Sequence, residues 1–243
     1  MKDSITIVGM DVHKNSISIA LAETDGSNAL RHYGRIGGTM TALDAFVKNL
    51  VARGIKTRFV YEAGPCGFEI YRHLTKKGFS CKVIAPSLTP KKSGDRIKND
   101  TRDAITLARS ERSGDLTEVI VPSEEDEAMR DLTRARQDAV KAQTTARQQL
   151  KSFLLRHGKR CPGTENWGKA HMQWITGVSM ELPVLQIVLE DYIDTVSAAT
   201  DRVKRLDDQV EKALPGWKMA PVVSALQSMR GIGPVTAATI AAE

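Results

Sequence analysis

Between Leu182 and Ala213 the apolar residues fall at Leu182, Leu185, Leu189, Tyr192, Val196, Ala199, Val203, Leu206, Val210 and Ala213, an unbroken alternation of three and four. Side chains of a strand alternate between two faces, so a strand cannot gather this set on one side. A helix can, as a single narrow stripe of the kind that seams a coiled coil. This stretch is therefore read as one long helix, stopped by Pro215-Gly216. A similar stretch precedes it. Pro122-Ser123-Glu124-Glu125 is a strong helix start, with Ser123 as cap and the acids at the positive end of the macrodipole. Small and apolar residues then recur at Ala128, Leu132, Ala135, Ala139, Ala142, Ala146, Leu150 and Phe153, before Gly158 and Pro162 end the helix. Two long seamed helices joined by a linker predict a helical hairpin, whose seam is either internal or shared with a second subunit.

The first part of the chain has another period. Residues 5–12 are a β-rich run, His13-Lys14-Asn15 is a polar turn, and residues 16–21 alternate as a half-buried strand. A third strand is expected at 31–35. Thr39 is the expected cap of a helix bearing Leu43, Phe46, Val47 and Leu50, ended by Gly54. Residues 58–62 form a buried-type strand that ends on an acid. Ala63-Gly64-Pro65 breaks it and leads into a helix reaching Lys77. Residues 81–85 are a short strand, 87–99 a basic loop, and 101–112 a helix. Strands that alternate with helices predict an α/β domain of about 120 residues.

Composition narrows the function. The charge of +6 favours a polyanionic partner. It is concentrated: residues 128–160 hold nine bases against two acids, which is more positive than the whole chain. Arg130, Arg134, Arg136, Lys141, Arg147 and Lys151 are read as tracking a phosphate backbone. Only Phe153 interrupts them with an aromatic ring, so base stacking is not the expected mode on this helix. Cys66, Cys81 and Cys161 are too few and too scattered for a disulfide framework or a cysteine zinc site, and fit a reducing compartment. His73, His157 and His171 have no zinc spacing. No apolar run approaches the roughly 18 residues of a membrane span. A soluble protein with no membrane partner is expected.

Four acids carry the chemistry. Asp11 lies near the end of the first strand, and Glu62 at the end of a later central one. Asp100 and Asp103, three apart at a helix start, share a face. Acids in such places often only cap helices or face water. Together, on separate elements, they can converge at one end of a sheet. Clustered carboxylates repel and call for cations, and hard oxygen donors suit Mg2+ or Mn2+. A pair of such ions about 4 Å apart can activate a nucleophile and stabilise a leaving oxygen in phosphodiester chemistry. His13, two residues past Asp11, is weighed as an assistant to the site and set aside as a turn histidine.

An acid on the first strand of a hairpin, one on a later strand and two on a following helix is a ribonuclease-H-like layout. The runs Gly9-Met10-Asp11-Val12-His13-Lys14, Val60-Tyr61-Glu62-Ala63-Gly64-Pro65 and Lys98-Asn99-Asp100-Thr101-Arg102-Asp103-Ala104 resemble the DEDD-type insertion-sequence transposases, also known as bridge-RNA-guided recombinases. The loop from Ala85-Pro86-Ser87 to Lys91-Lys92-Ser93-Gly94-Asp95-Arg96 and the tail motif Gly231-Ile232-Gly233-Pro234 are similar to that family as well. The resemblance implies three regions. Residues 1–121 would be a resolvase-like catalytic domain, 122–217 a helical coiled-coil region, and 218–243 the truncated start of a helical C-terminal transposase domain. It implies that Asp11, Glu62, Asp100 and Asp103 hold divalent metal, and that strands are exchanged through a serine of the C-terminal domain. That serine is expected beyond the Gly-Ile-Gly-Pro motif. Ser224 and Ser228 precede the motif and are not assigned the role. It further implies DNA and a structured guide RNA as partners, a homo-oligomer (dimer or tetramer), and a place in the cytoplasm at the nucleoid.

The basic residues Lys91, Lys92, Arg96, Lys98 and Arg102 adjoin the acids and would guide a phosphate backbone towards them. Gly231 and Gly233 would let backbone N–H groups approach a phosphate at a helix-hairpin-helix-like turn. Two rival readings stay open. One is a stand-alone Mg-dependent nuclease or junction resolvase. The other is a non-catalytic nucleic-acid-binding module whose acids stabilise the fold. An actin-like sugar kinase is disfavoured, because no glycine loop for phosphate stands where that fold needs one.

Overall fold

The computed structural model describes residues 4–24, 29–87 and 100–243. The chain divides into two compact units, Met1–Val121 and Pro122–Glu243.

In the first unit, short runs rich in β-branched and apolar residues make five strands: β1 (Ile5–Val12), β2 (Ser16–Glu23), β3 (Leu30–Gly37), β4 (Lys56–Glu62) and β5 (Ser80–Ile84). They form one mixed sheet in the order β3-β2-β1-β4-β5, with β1–β2 and β2–β3 antiparallel and β1–β4 and β4–β5 parallel. The helices are α1 (Met40–Ala52), α2 (Glu69–Lys76) and α3 (Asp100–Ser113). Thr39 caps α1 as expected, accepting from the Ala42 N–H at 3.2 Å. This α/β sheet is consistent with a ribonuclease-H-like fold. Its outer edge at β5 is closed by the 117–119 segment, whose Val119 N–H donates to the Val83 carbonyl at 2.8 Å.

Alternation sorts the strand residues onto two faces. Val8, Met10, Ile17, Ile19, Phe59, Tyr61 and Val83 pack against Leu43, Phe46 and Leu50 of α1 and Ile70 and Leu74 of α2. Ile7, Ala20, Ala22, Val60 and Ile84 pack against Ala104, Leu107 and Ala108 of α3. The α3 face is built from smaller residues, and the helix lies close to the sheet there. At Gly9 an added Cβ would stand 2.5 Å from the Ala104 carbonyl oxygen and 2.6 Å from the Ala108 nitrogen.

The second unit contains α4 (Glu124–Arg156), α5 (Lys169–Thr176), α6 (Pro183–Ala213), a 3-10 turn at Leu214–Gly216, α7 (Ala220–Gln227) and α8 (Pro234–Ala242). Ser123 caps α4, as expected. The pairings Arg136–Asp207, Gln143–Thr200 and Phe153–Tyr192 run in opposite directions along the chain, so α4 and α6 are antiparallel. Leu189 and Val196 of the α6 stripe are buried with Ala146, Leu150 and Phe153 of α4. Much of the seam left open by the sequence is thus used inside this unit. Leu182, the first member of the stripe, is the N-terminal cap and is exposed.

The buried face of α4 keeps Ala139, Ala146, Leu150 and Phe153 of the expected seam and departs from it elsewhere. Ala128 and Ala142 are exposed, and Met129, Thr133, Ala139, Gln143, Ala146, Leu150, Phe153 and Leu154 are buried. Met129 and Leu154 join the buried face, where they remove more apolar area from water than Ala128 and Ala142 would. Two polar residues come with them and are satisfied. The Thr133 hydroxyl donates to the Arg130 carbonyl at 2.9 Å, and Gln143 Nε2 donates to Thr200 Oγ1 at 3.0 Å. The linker between the long helices contains α5, which the sequence reading leaves unassigned. It is short, and its cap Gly168 supplies no side-chain hydrogen bond. A second core joins Met129 to Trp217, Val223, Ala237 and Ala242. Among the described residues no helix is long and apolar enough to cross a membrane.

Candidate active site

Asp11 and Glu62 each stand one residue past the last registered pair of two adjacent parallel strands, Met10 and Tyr61. Two-residue periodicity puts Asp11 on the face of Gly9 and Glu62 on the face of Val60. Both are the α3 face. The first turn of α3 carries Asp100 and Asp103 onto the same face. The missing side chain at Gly9 permits this approach, since α3 lies where a Cβ would be.

The structure draws Asp11, His13 and Asp100 together, with one donor atom from each lying within 4.8 Å of the others. His13 Nε2 is 3.1 Å from Asp11 Oδ2 and 3.8 Å from Asp100 Oδ1. Asp103 and Glu62 are half-buried near the same sheet end but fall outside that tight group. Burial pushes the Asp11 carboxyl above its ordinary range, His13 pulls it back, and the charges of Asp103 and Asp100 push it up again. Such crowding is relieved by a cation. Two carboxylates with an imidazole nitrogen form a donor set able to hold a divalent metal ion.

Two members were not singled out from the sequence. His13 was set aside, yet the turn folds it back onto Asp11. The spacing of two residues was the available signal. Arg35 on β3 donates from Nη2 to Asp100 Oδ2 at 2.6 Å. It pairs in register with Ser18, whose neighbours Ala20 and Ala22 face α3, so Arg35 shares that face. Nothing in the local sequence signals this, because the two partners are brought together only by strand pairing and helix packing.

Of the expected nucleic-acid contacts, Lys91, Lys92, Arg96 and Lys98 lie outside the described residues. Arg102 is exposed in the first turn of α3. On α4 each named base has a local role. Arg130 Nε donates to the Ala242 carbonyl at 2.7 Å, and Arg134 grips Glu243 through two bonds of 2.7 and 2.8 Å. Arg136 pairs with Asp207 at 2.7 Å, Lys141 with Asp138 at 3.1 Å and Lys151 with Glu165 at 2.6 Å. The Arg147 guanidinium lies over the Trp167 ring, 5.3 Å from its centroid. Several acids absent from the α4 segment are therefore supplied from elsewhere in the unit. Gly231 has φ of 89°, a left-handed conformation that favours glycine, in the turn between α7 and α8. Gly233 caps α8.

Comparison with known proteins identifies the family. Residues 8–158 match the profile of a family described as transposase, the DEDD type of IS110. The transposase y4qE of Sinorhizobium fredii is 39% identical over 236 residues, covering 97% of this chain and 57% of that protein. The transposase for insertion sequence element IS1533 of Leptospira borgpetersenii is 33% identical over 232 residues, covering 95% of this chain and 67% of its own length. The transposase for insertion sequence element IS1328 of Yersinia enterocolitica is 24% identical over 251 residues. The chain thus spans between about half and two thirds of the length of these relatives. The profile takes in the Asp11, Glu62 and Asp100–Asp103 positions together with α4, and on that extent of agreement the chain belongs to the IS110-type DEDD transposases.

Proposed function

We propose that this chain is the catalytic portion of an insertion-sequence transposase, cleaving DNA phosphodiester bonds with Mg2+ or Mn2+ at Asp11, Asp100, Asp103 and Glu62. The carrying observation is the approach of Asp11, His13 and Asp100 to within one coordination sphere's reach. A divalent ion held there would polarise a phosphoryl oxygen and lower the pKa of a water or hydroxyl. Asp11 and Asp100 hold it from opposite elements, a strand end and a helix start. Asp103 and Glu62 add negative charge from the same face. The exposed guanidinium of Arg35 beside Asp100 offers a contact for the scissile phosphate backbone. Binding of DNA, guidance by a structured RNA, assembly into a homo-oligomer and strand exchange through a serine rest on the family resemblance. The 122–217 hairpin is the proposed assembly element.

One observation favours a second reading. The ion pair of Arg35 with Asp100 and the contact of His13 with Asp11 balance the acids without metal, as a nucleic-acid-binding module with structural acids would require. Supercoiled plasmid nicking separates the two. The chain is incubated with Mg2+ or Mn2+, beside Asp100→Ala checked by its thermal melt for an intact fold. Metal-dependent nicking that disappears in the variant supports the catalytic reading. Titration with Mn2+ gives a second readout, expected to show binding that Asp100→Ala weakens. No nicking and no Mn2+ binding by a folded chain would overturn it in favour of the module.

A further inference from the structure

The turn between β1 and β2 brings to the acidic site a kind of donor that its four acids do not supply. His13 Nε2 is 3.1 Å from Asp11 Oδ2 and 3.8 Å from Asp100 Oδ1. Donors about 2.1 Å from one octahedral ion stand about 3.0 Å apart when adjacent and about 4.2 Å apart when opposite. Both observed spacings fall in that range. Asp100 is turned to suit them. Its Oδ2 accepts from Arg35 Nη2 at 2.6 Å, and its other oxygen, Oδ1, is the one nearer His13.

The backbone supplies an independent observation. The His13 side chain is 55% exposed, so a loose turn would let its ring swing away from the acids. This turn is braced on two sides. The His13 N–H donates to the Ser16 carbonyl at 2.9 Å and closes it. Just past β3, the Gly38 N–H donates to the Asn15 carbonyl at 3.0 Å. Gly38 lies so close behind the turn that an added Cβ would stand 2.6 Å from the Lys14 carbonyl oxygen. The residue that carries the imidazole is therefore fixed beside Asp11, as a donor set requires. The added atom also bears on which ion is preferred. Mg2+ takes oxygen donors and gives up its waters reluctantly, so an imidazole nitrogen adds little to its binding. First-row transition ions accept imidazole nitrogen, whereas carboxylate oxygens alone suit Mg2+ and Mn2+ alike.

We infer that His13 binds the same ion as Asp11 and Asp100 through Nε2, and that this nitrogen makes the site select a first-row transition ion such as Mn2+ over Mg2+. The inference rests on the metal-site reading proposed above and deepens it, because it adds a ligand outside the four acids and narrows the choice of ion. Ligation uses the neutral ring, with the lone pair of Nε2 on the ion and the proton on Nδ1.

The full chain, stripped of metal with a chelator, is loaded with Mn2+ and studied by pulsed electron paramagnetic resonance. This method detects a directly bound imidazole through the hyperfine coupling of its nitrogen. The coupling is expected in the parent chain and absent from His13→Asn, which exchanges the ring for an amide. Calorimetry with Mn2+ and with Mg2+ supplies a second readout. Loss of a partner behind a ligand already costs about 10–100-fold in metal affinity, so His13→Asn should lose on the order of tenfold or more for Mn2+. Its Mg2+ affinity should change by less than about twofold, because oxygen donors carry that ion. His13→Ala should repeat the Mn2+ loss, and thermal melts of both variants should match the parent chain, since the residue is exposed. Mn2+ bound without a nitrogen coupling, a coupling that survives in His13→Asn, or equal losses of the two ions in that variant would each overturn the inference while the metal site stands. Asp100→Ala keeps the two failures apart, since it should weaken both ions. A folded parent chain that binds neither ion, or a folded Asp100→Ala chain that binds both as before, would overturn the metal-site reading and the inference with it.

Discussion

Replacing Gly9 by alanine tests how the acidic site is assembled. The added Cβ would lie 2.5 Å from the Ala104 oxygen, 2.6 Å from the Ala108 nitrogen and 2.9 Å from the Ala108 Cβ. Two of these are backbone atoms of α3, so no rotamer change relieves the contact. The helix must withdraw by about 1 Å to restore ordinary van der Waals distances, and overpacking of this kind costs about 1–3 kcal/mol. For a unit of this size that is a fall in melting temperature of about 3–15 °C. The same movement carries Asp100 and Asp103 away from Asp11. A misplacement of about 1 Å can reduce a reaction rate on the order of 100-fold. Thermal melts, Mn2+ titration and plasmid nicking of Gly9→Ala should therefore all change. Gly37→Ala is the matched control, because its Cβ would meet only the Ala42 Cβ at 3.6 Å. A Gly9→Ala chain with unchanged melting and unchanged Mn2+ affinity would refute the account of α3 as the element that positions the acids.

Three further outcomes follow from the geometry. Arg35→Met removes the cation 2.6 Å from Asp100. As an exposed pair is worth about 0.2–1 kcal/mol, Mn2+ affinity should rise by up to about fivefold, and weaker calorimetric binding would show that Arg35 supports the site instead. Asp126 is held at about 2 by its bonds to Lys218, Ser123 and Trp217. Because its pKa is lower folded than unfolded, its stabilisation is complete above about pH 4 and is lost as the pH falls towards 2. Urea unfolding should show a loss of about 1–3 kcal/mol in Asp126→Asn near neutral pH, and a gap from the parent chain that closes in acid. Leu150→Ala empties a fully buried position and should cost the helical unit about 2–5 kcal/mol by denaturant unfolding while leaving Mn2+ affinity unchanged. A parallel loss of Mn2+ binding would contradict separate cores.

The five strands and the two long helices were legible because each rests on local composition or period and a local stop signal. Thr39 and Ser123 act as the caps they resemble, and the turn at His13-Lys14-Asn15 reverses the chain where its polarity requires. The acids were legible as positions on elements. Their convergence at one sheet end was an expectation; which of them come within a few ångströms was not legible, because it depends on how near α3 can lie, which the bare Gly9 backbone permits. His13 and Arg35 joined the site for the same reason, one through the tightness of a turn and the other through the register of β3 against β2.

Charge shows the limit of sequence reading most plainly. Along α4 the bases look uncompensated, since the partners of Arg134 and Arg136 lie 109 and 71 residues away. Apart from α5, sequence alone determined which segments become strands and helices, and which of them carry acids or bases, since those properties follow from neighbours within a few turns of chain. Only the tertiary structure decided which charges cancel, which face of α4 is buried and which acids meet. Ion pairing and packing depend on distance in space, and these contacts join segments that the chain itself holds far apart.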